Sequence, residues 1–210
     1  ILSEKVERVR QFRLSSKAKT TNGYAKVPQL FAQITQPDDV DFLIIPRVSS
    51  ERRRYVPIGF ATKDIISSDA VQIVPNATLY HFGVLTSNVH MAWMRAVCGR
   101  LKSDYRYSKE IVYNTFPWPK PTEEQRIKIE QTAQVILNAR EQYSDCSLAD
   151  MYGEKMYLFP ELVKAHQDND RAVMQAYGFA KGREAYKSEA ACVAELMKLY
   201  QKKVEELEKR

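Results

Sequence analysis

The chain changes texture three times along its length. Over residues 3–18, Val6, Val9 and Phe12 recur at helical spacing behind Ser3, a residue type suited to capping, and this predicts an N-terminal helix. From Val27 to about Leu85 the pattern shifts to short apolar runs separated by turn residues, the mark of β structure. Phe42-Leu43-Ile44-Ile45 reads as a buried strand ending at Pro46. Tyr55-Val56-Pro57-Ile58-Gly59-Phe60 and Val71-Gln72-Ile73-Val74 read as two more, with Ser49-Ser50-Glu51-Arg52-Arg53-Arg54 as a charged hairpin tip between the first two.

Helical spacing then returns. Thr86 or Ser87 can cap a helix whose inner face carries Val89, Ala92, Trp93, Ala96 and Val97, with Gly99 expected to stop it. Phe116-Pro117-Trp118-Pro119 can be neither helix nor central strand, because its prolines remove donors and fix an extended backbone. It is expected to be a strap with Phe116 and Trp118 packed inward. Thr122-Glu123-Glu124-Gln125 fits a capping box, followed by the stripe Ile129, Ala133, Ile136 and Leu137 as far as about Tyr143. Two further helices are predicted, one over residues 161–177 ended by Gly178, the other from about Ser188 through Val193, Leu196, Tyr200, Val204 and Leu207. The whole reads as α+β: a twisted antiparallel sheet domain with flanking helices over residues 1–119, then a small helical bundle over residues 120–210.

Charge divides the chain in the same way. The net +6 is made of 18 Lys/Arg against 10 Asp/Glu in residues 1–120 and 14 against 16 in residues 121–210. The basic surface therefore belongs to the front, where it suits a polyanion, and the back suits a scaffold or docking role. Arg8, Arg10, Arg13, Lys17 and Lys19 make the first helix and its exit basic.

Several function classes lack their signatures. No apolar run has the length of a membrane span and no secretory pattern opens the chain, so no membrane partner is expected. Cys98, Cys146 and Cys192 lie far apart and read as buried free thiols of a reducing, cytoplasmic compartment; His81, His90 and His166 are equally scattered, and no zinc site is expected. Seven glycines, spread singly, form no phosphate- or cofactor-cradling loop, and no Asn-Pro-Pro-aromatic tetrapeptide is present. Pro37-Asp38-Asp39 lacks the Glu-x-Lys that would complete a carboxylate nuclease site and reads as a turn. The chain looks like a binder without a catalytic centre or cofactor. Its start, Ile1-Leu2-Ser3, suggests a segment of a longer protein.

Residues 99–108 concentrate the candidate chemistry. Gly99-Arg100-Leu101-Lys102-Ser103-Asp104-Tyr105-Arg106-Tyr107-Ser108 surrounds one carboxylate with cations and tyrosines. Cations and aromatics suit a phosphate-facing segment, but a carboxylate there repels phosphate. Two readings follow: a solvated turn in which Asp104 pairs with Arg100 or Arg106, or a reading segment in which Asp104 accepts from the N4 amino group of cytosine.

Ile45-Pro46-Arg47-x-Ser49-Ser50-Glu51-x-Arg53, Tyr55-x-Pro57-x-Gly59-Phe60, Phe82-Gly83-x-x-x-Ser87, the segment 99–108 and Phe116-Pro117-Trp118-Pro119 occur in that order. Together they resemble the target-recognition domain of the MmeI-type (type IIL) restriction–modification enzymes and related DNA adenine methyltransferases. Leu162-x-x-Ala165-His166-x-x-x-Asp170-x-x-Val173 and Ala176-Tyr177-Gly178 resemble the helical C-terminal segment of the same proteins. Lys155-Met156-Tyr157-Leu158-Phe159-Pro160 departs from the shorter Met-Pro entry usual there. The resemblance implies a bacterial parent that methylates adenine N6 with S-adenosylmethionine, in some cases also cleaving, with this segment binding double-stranded DNA beside the parent's methyltransferase domain. It further implies that bases are read by Lys102 with Asp104 and by Arg47 with Asp69, with Ala70 and Arg106 tuning another position. Arg52, Arg53, Arg54, Arg100 and Lys109 are the candidates for phosphate contacts. A basic RNA-binding or protein-interaction module without sequence-specific readout is the alternative.

Overall fold

The computed structural model describes residues 1–32, 35–179 and 184–209, and the chain divides after Pro37 into the units Ile1–Pro37 and Asp38–Arg210. In the first unit, α1 (Leu2–Leu14) starts from Ile1 with no side-chain cap, so Ser3 lies within the helix and does not cap it. The helix also stops at Leu14, short of the expected end, and buries none of its residues. Arg13 turns back from its last turn onto the segment around α2 (Lys19–Gly23) and the 3₁₀ turn Tyr24–Lys26. Its guanidinium donates to the carbonyls of Tyr24 at 2.9 Å, Val27 at 3.0 Å and Leu30 at 2.8 Å. A cation expected on the basic surface therefore adds its donors to backbone carbonyls of its own unit, two of which already accept from backbone N–H groups.

The strands of the second unit are β1 (Phe42–Pro46), β2 (Val48–Ser49), β3 (Gly59–Ala61), β4 (Val71–Pro75), β5 (Gly99–Leu101) and β6 (Asp104–Arg106). They form two antiparallel sheets, ordered β3-β1-β4 and β2-β6-β5, where the sequence suggested one. β1 is central to the first sheet and buries Phe42, Leu43 and Ile45 completely. Residues 55–58 carry the apolar side chains expected of a strand, and Tyr55, Val56 and Ile58 are buried, yet pairing begins only at Gly59. Pro57 has no N–H to give a ladder and the Ile58 N–H turns back to the Val56 carbonyl at 2.9 Å, so this stretch enters the core outside either sheet. The charged residues 50–54 are accordingly a turn within the long β1–β3 connection and not a hairpin tip.

Between β4 and β5 in the chain come α3 (Leu79–Leu85) and α4 (Asn88–Val97). The first falls where the sequence suggested β structure, since a short apolar run does not declare its period. Thr78 and His81 form its capping box, with the Thr78 N–H donating to His81 Nδ1 at 3.1 Å. Ser87 caps α4, as expected, by accepting from the His90 N–H. Ala96, expected inside, is exposed. Gly99 is not the helix stop: Cys98 leaves α4 in extended backbone, and Gly99 already opens β5.

The later helices are α5 (Glu123–Glu141), α6 (Leu148–Met151), α7 (Pro160–Ala176), α8 (Glu184–Lys187) and α9 (Glu189–Glu208). α5 starts at the predicted Thr122–Gln125 capping box. Pro160 sits in the first turn of α7, where a missing N–H costs nothing. Gly178, with φ +74°, follows α7 directly after its C-cap residue Tyr177. α9 buries Cys192 and Leu196, but Leu207, expected inside, is exposed. Gly83 lets α3 and α5 approach: a Cβ there would lie 2.7 Å from Ile129 Cγ2 and 3.1 Å from Asn169 Oδ1. The strap residue Phe116 is buried edge-on against His90, ring centroids 4.5 Å apart, and Tyr177 donates to the Pro117 carbonyl at 2.9 Å.

Polar side chains cross this apolar core. Arg140 of α5 donates to the Tyr152 hydroxyl from Nε at 2.8 Å and to the Ile58 carbonyl from Nη1 at 2.8 Å. The Tyr152 hydroxyl also meets His166 Nε2 at 2.7 Å, and the His166 ring stacks on Tyr55 with centroids 4.2 Å apart. Tyr55 donates to Asp170 at 2.6 Å, and the other Asp170 oxygen accepts from the Asn88 N–H at 2.8 Å. Burial pushes the Asp170 carboxyl up to about 6, against the opposing pull of these two donors. This chain of contacts ties residues 55–58 and the start of α4 to α5 and α7. Whatever α4 carries at its far end is thereby anchored to the helical part of the unit.

Candidate nucleic-acid interface

Residues 99–108, expected to be a loop, are mostly a hairpin. β5 and β6 pair with Leu101 opposite Asp104, Arg100 opposite Tyr105 and Gly99 opposite Arg106. Lys102 and Ser103 form the two-residue turn, and Lys102 has φ +56°, a left-handed conformation uncommon for a long side chain. The strand period then sorts the side chains. Tyr105 is buried, and Arg100 opposite lies over its ring, the guanidinium carbon 4.1 Å from the centroid. Asp104, Arg106 and Leu101 belong to the other face, which is turned to solvent.

β2 extends the hairpin, with Val48 opposite Arg106 and Ser49 opposite Tyr105. Arg47 joins the two sheets. Its N–H donates to the Ala70 carbonyl at 2.9 Å and its carbonyl accepts from the Tyr107 N–H at 2.8 Å. Its side chain donates from Nη1 to the backbone carbonyl of Asp69 at 2.8 Å. Successive backbone hydrogen bonds thus run from Ala70 through Arg47 to Tyr107, next to Arg106. Tyr107 fixes this line from below: it is buried, and its hydroxyl hydrogen-bonds His90 Nε2 of α4 at 3.0 Å. Burial pushes His90 down to about 3, so the ring is neutral and brings no charge to the contact.

The structure therefore gathers Arg47, Asp69, Ala70, Lys102, Asp104 and Arg106 on adjoining segments of one ledge, although they come from three separate stretches of sequence. The local pairing expected in an ordinary turn is not what forms. Among the described residues, Asp104 has neither an ion pair nor a side-chain hydrogen bond: Arg100 donates instead to the Ser103 carbonyl at 2.8 Å and approaches Glu51 at 4.0 Å. Arg106 and Lys102 likewise make no such contact. Arg47 meets the carbonyl of Asp69 and not its carboxylate, which leaves that carboxylate outside any ion pair among the described residues.

The phosphate candidates are more varied. Arg52 pairs with Glu154 at 2.7 Å, a hydrogen bond that raises its pKa; Glu51 and Asp104 add weaker attraction. Lys109 lies 3.7 Å from the neighbouring Glu110, both exposed. Arg54 covers the Tyr55 ring, 5.3 Å from its centroid, at the edge of the buried network. Arg100 is held on Tyr105. Arg53 has no side-chain partner among the described residues. The residues missed in the sequence are those beneath the ledge: Tyr107 and His90, and behind them Tyr55, Asp170, Arg140 and Tyr152. Tyr55, Tyr107, His166 and Asp170 fall within the motifs quoted above without a role of their own there, and a further signal is that His90, His166 and Asp170 fall on otherwise apolar helix faces.

Known proteins share this sequence pattern and fold. A family model described as the MmeI target recognition domain matches residues 1–120, and one described as the MmeI C-terminal domain matches residues 121–208. The chain belongs to the MmeI target-recognition family. Its α+β fold matches a solved structure of the type IIL restriction–modification enzyme MmeI in complex with DNA, with a TM-score of 0.88 at 46% identity over 96% of this chain and 26% of that one. It is also 35% identical over 205 residues to DNA methyltransferase A of Bacillus subtilis (strain 168), covering 98% of this chain and 22% of that protein. The MmeI-like segment thus spans about a quarter of the length of these relatives. No helix among its described residues is long and apolar enough to cross a membrane.

Proposed function

We propose that this chain is the base-reading part of a DNA adenine-N6 methyltransferase of a bacterial type II restriction–modification system. It holds duplex DNA by its backbone and presents the ledge to base edges in the major groove. The observation that carries the reading is the pair of outward, unpartnered side chains Asp104 and Arg106 on a hairpin whose other face is locked into the core. A carboxylate accepts from cytosine N4 and a guanidinium donates to guanine O6 and N7, so Lys102 with Asp104, and Arg47 with Asp69, each suit a G·C pair. Ala70 and Arg106 adjoin both pairs and tune a further position. The two kinship findings support this reading, since one relative is named a DNA methyltransferase and the other is described bound to DNA.

Methyl transfer, with or without cleavage, belongs to parts of the parent outside this segment, and S-adenosylmethionine supplies the methyl group there. We place no site for that cofactor within this segment. Gly83, which has the tightest surroundings among the described glycines, makes room for Ile129, Ala133 and Asn169, not for a ligand. What this segment contributes is orientation, through its docking on the methyltransferase domain of the same parent. The free cysteines Cys98, Cys146 and Cys192 suit the reducing cytoplasm in which such a protein meets DNA.

Duplex binding by the chain should depend steeply on salt, because each phosphate contact releases counterions. With about five such contacts, drawn from Arg52, Arg53, Arg54, Arg100 and Lys109, affinity should fall roughly 500-fold between 50 and 200 mM salt. Arg53→Ala should weaken all sequences equally and make the salt slope shallower by about one unit. An anisotropy titration with specific and random duplexes measures both. A flat salt response, or equal affinity for structured RNA, would favour the module without DNA readout.

A further inference from the structure

The outward face of the hairpin carries more than charge. Leu101 is directly opposite Asp104, so the two side chains leave the sheet on the same face as close cross-strand neighbours. Leu101 is 53% exposed and Val48, opposite Arg106 on the same face, is 41% exposed. A leucine in that position does nothing for the core, which the opposite face supplies through Tyr105. It is flanked in sequence by Arg100 and Lys102, and no apolar contact of the core cluster includes it. Leu101 and Val48 put two exposed aliphatic side chains on the face that carries the unpaired Asp104 and Arg106, and such a mixed face suits a partner that offers both polar and apolar atoms at one spacing.

The major groove offers that combination, since thymine presents a 5-methyl group on the same edge on which the bases present their hydrogen-bonding atoms. From this geometry we infer that Leu101 is a specificity-determining residue that reads the 5-methyl group of a pyrimidine in the base pair next to the one read by Asp104. Thymine supplies that methyl group in ordinary DNA, and 5-methylcytosine supplies the same group in modified DNA. The inference rests on the reading of the hairpin as base-reading. It adds a contact of different chemistry from the charged pairs, one that discriminates by packing and not by donors and acceptors. Two neighbouring base pairs would then be read by two residues that a single strand register places side by side.

The test uses the 210-residue chain and duplexes selected from a pool randomised over the site. The selected site should contain a thymine next to the pair that Asp104→Ala relaxes. Replacing that thymine by deoxyuridine removes only the methyl group, and should weaken binding about three- to fivefold, the effect of burying one such group. Leu101→Ala should bind both duplexes equally, with an unchanged melting temperature because the side chain is outside the core. Placing 5-methylcytosine there in place of cytosine should recover part of the methyl-dependent affinity in the original chain and none in the variant. Equal binding of thymine and deoxyuridine by the original chain overturns the proposal, as does a difference that survives Leu101→Ala. If Asp104→Ala leaves every base preference unchanged, the reading of the hairpin itself fails, and the two failures are thereby distinguishable.

Discussion

Exchanging the charges of Lys102 and Asp104, as Lys102→Glu with Asp104→Arg, should reverse one G·C pair of the preferred site to C·G. Lys102 lies in the turn of the hairpin and Asp104 opens the strand that follows it, so swapping their charges exchanges which strand of the DNA meets a donor and which an acceptor. Each good contact discriminates by about 1–3 kcal/mol, so the reversal should exceed tenfold at that position. Either single substitution should lose affinity without gaining a new preference, because one base edge then faces a partner of its own kind. The fold has little reason to object. Lys102 already sits at φ +56° without being glycine, and glutamate meets the same backbone cost there. Asp104 gives up no ion pair on replacement. Selection from randomised duplexes reads the outcome, and retention of the original site by the double variant would show that the hairpin does not read bases.

The largest loss of stability should come from Arg140→Ala. This guanidinium is 9% exposed and donates to the Tyr152 hydroxyl and the Ile58 carbonyl while lying over the rings of Phe82 and Tyr152. Among the described residues Arg140 is the donor to the Ile58 carbonyl, and the cavity left behind adds to the cost. Hydrogen bonds from a charged donor contribute about 1.5–3 kcal/mol, so a total near 3 kcal/mol is expected. For a chain of this size that corresponds to a fall in melting temperature of about 6–12 °C. Circular dichroism during heating measures it. The base preference of the surviving folded fraction should be unchanged, since Arg140 lies far along the chain of contacts from the ledge. A shift below about 1 kcal/mol would show that the network is not what joins these elements.

How far the sequence foretold this structure differs from element to element, for physical reasons. The strands Phe42–Pro46 and Val71–Pro75 and the helices Asn88–Val97, Glu123–Glu141 and Pro160–Ala176 were legible because their apolar spacing, caps and prolines agree with one another. Where one local signal stood alone it misled. Ser3 has capping chemistry, but the helix begins before it. Gly99 looks like a stop, but Cys98 leaves the helix first and Gly99 pairs opposite Arg106. The stretch 55–60 has strand-like residues throughout, but with Pro57 in its middle only Gly59 and Phe60 join a ladder.

The candidate site was legible as residue types and not as geometry. That Arg47 and Asp104 share a ledge depends on β2, two residues long, pairing with a hairpin more than fifty positions later. No period or propensity carries information of that kind. The same holds for the polar network, in which Tyr55, Arg140, Tyr152 and Asp170 become partners only once the helices have packed. Individually each looks like a surface residue that happens to fall on an apolar face.

The central claim is that the ledge reads separate base pairs with separate residues. The most direct test is a base-preference profile, over all four bases at every position of the site, for the chain and for Asp69→Ala and Asp104→Ala. Each substitution should flatten the preference at one position, at a cost of about 1–3 kcal/mol there, and leave the position governed by the other untouched. Arg47→Lys should relax the same position as Asp69→Ala, because an ammonium cannot hold guanine through two donors at once. An equal loss of affinity for all sequences with unaltered preferences, accompanied by a lower melting temperature, would contradict the account and leave these residues as structural members of the fold.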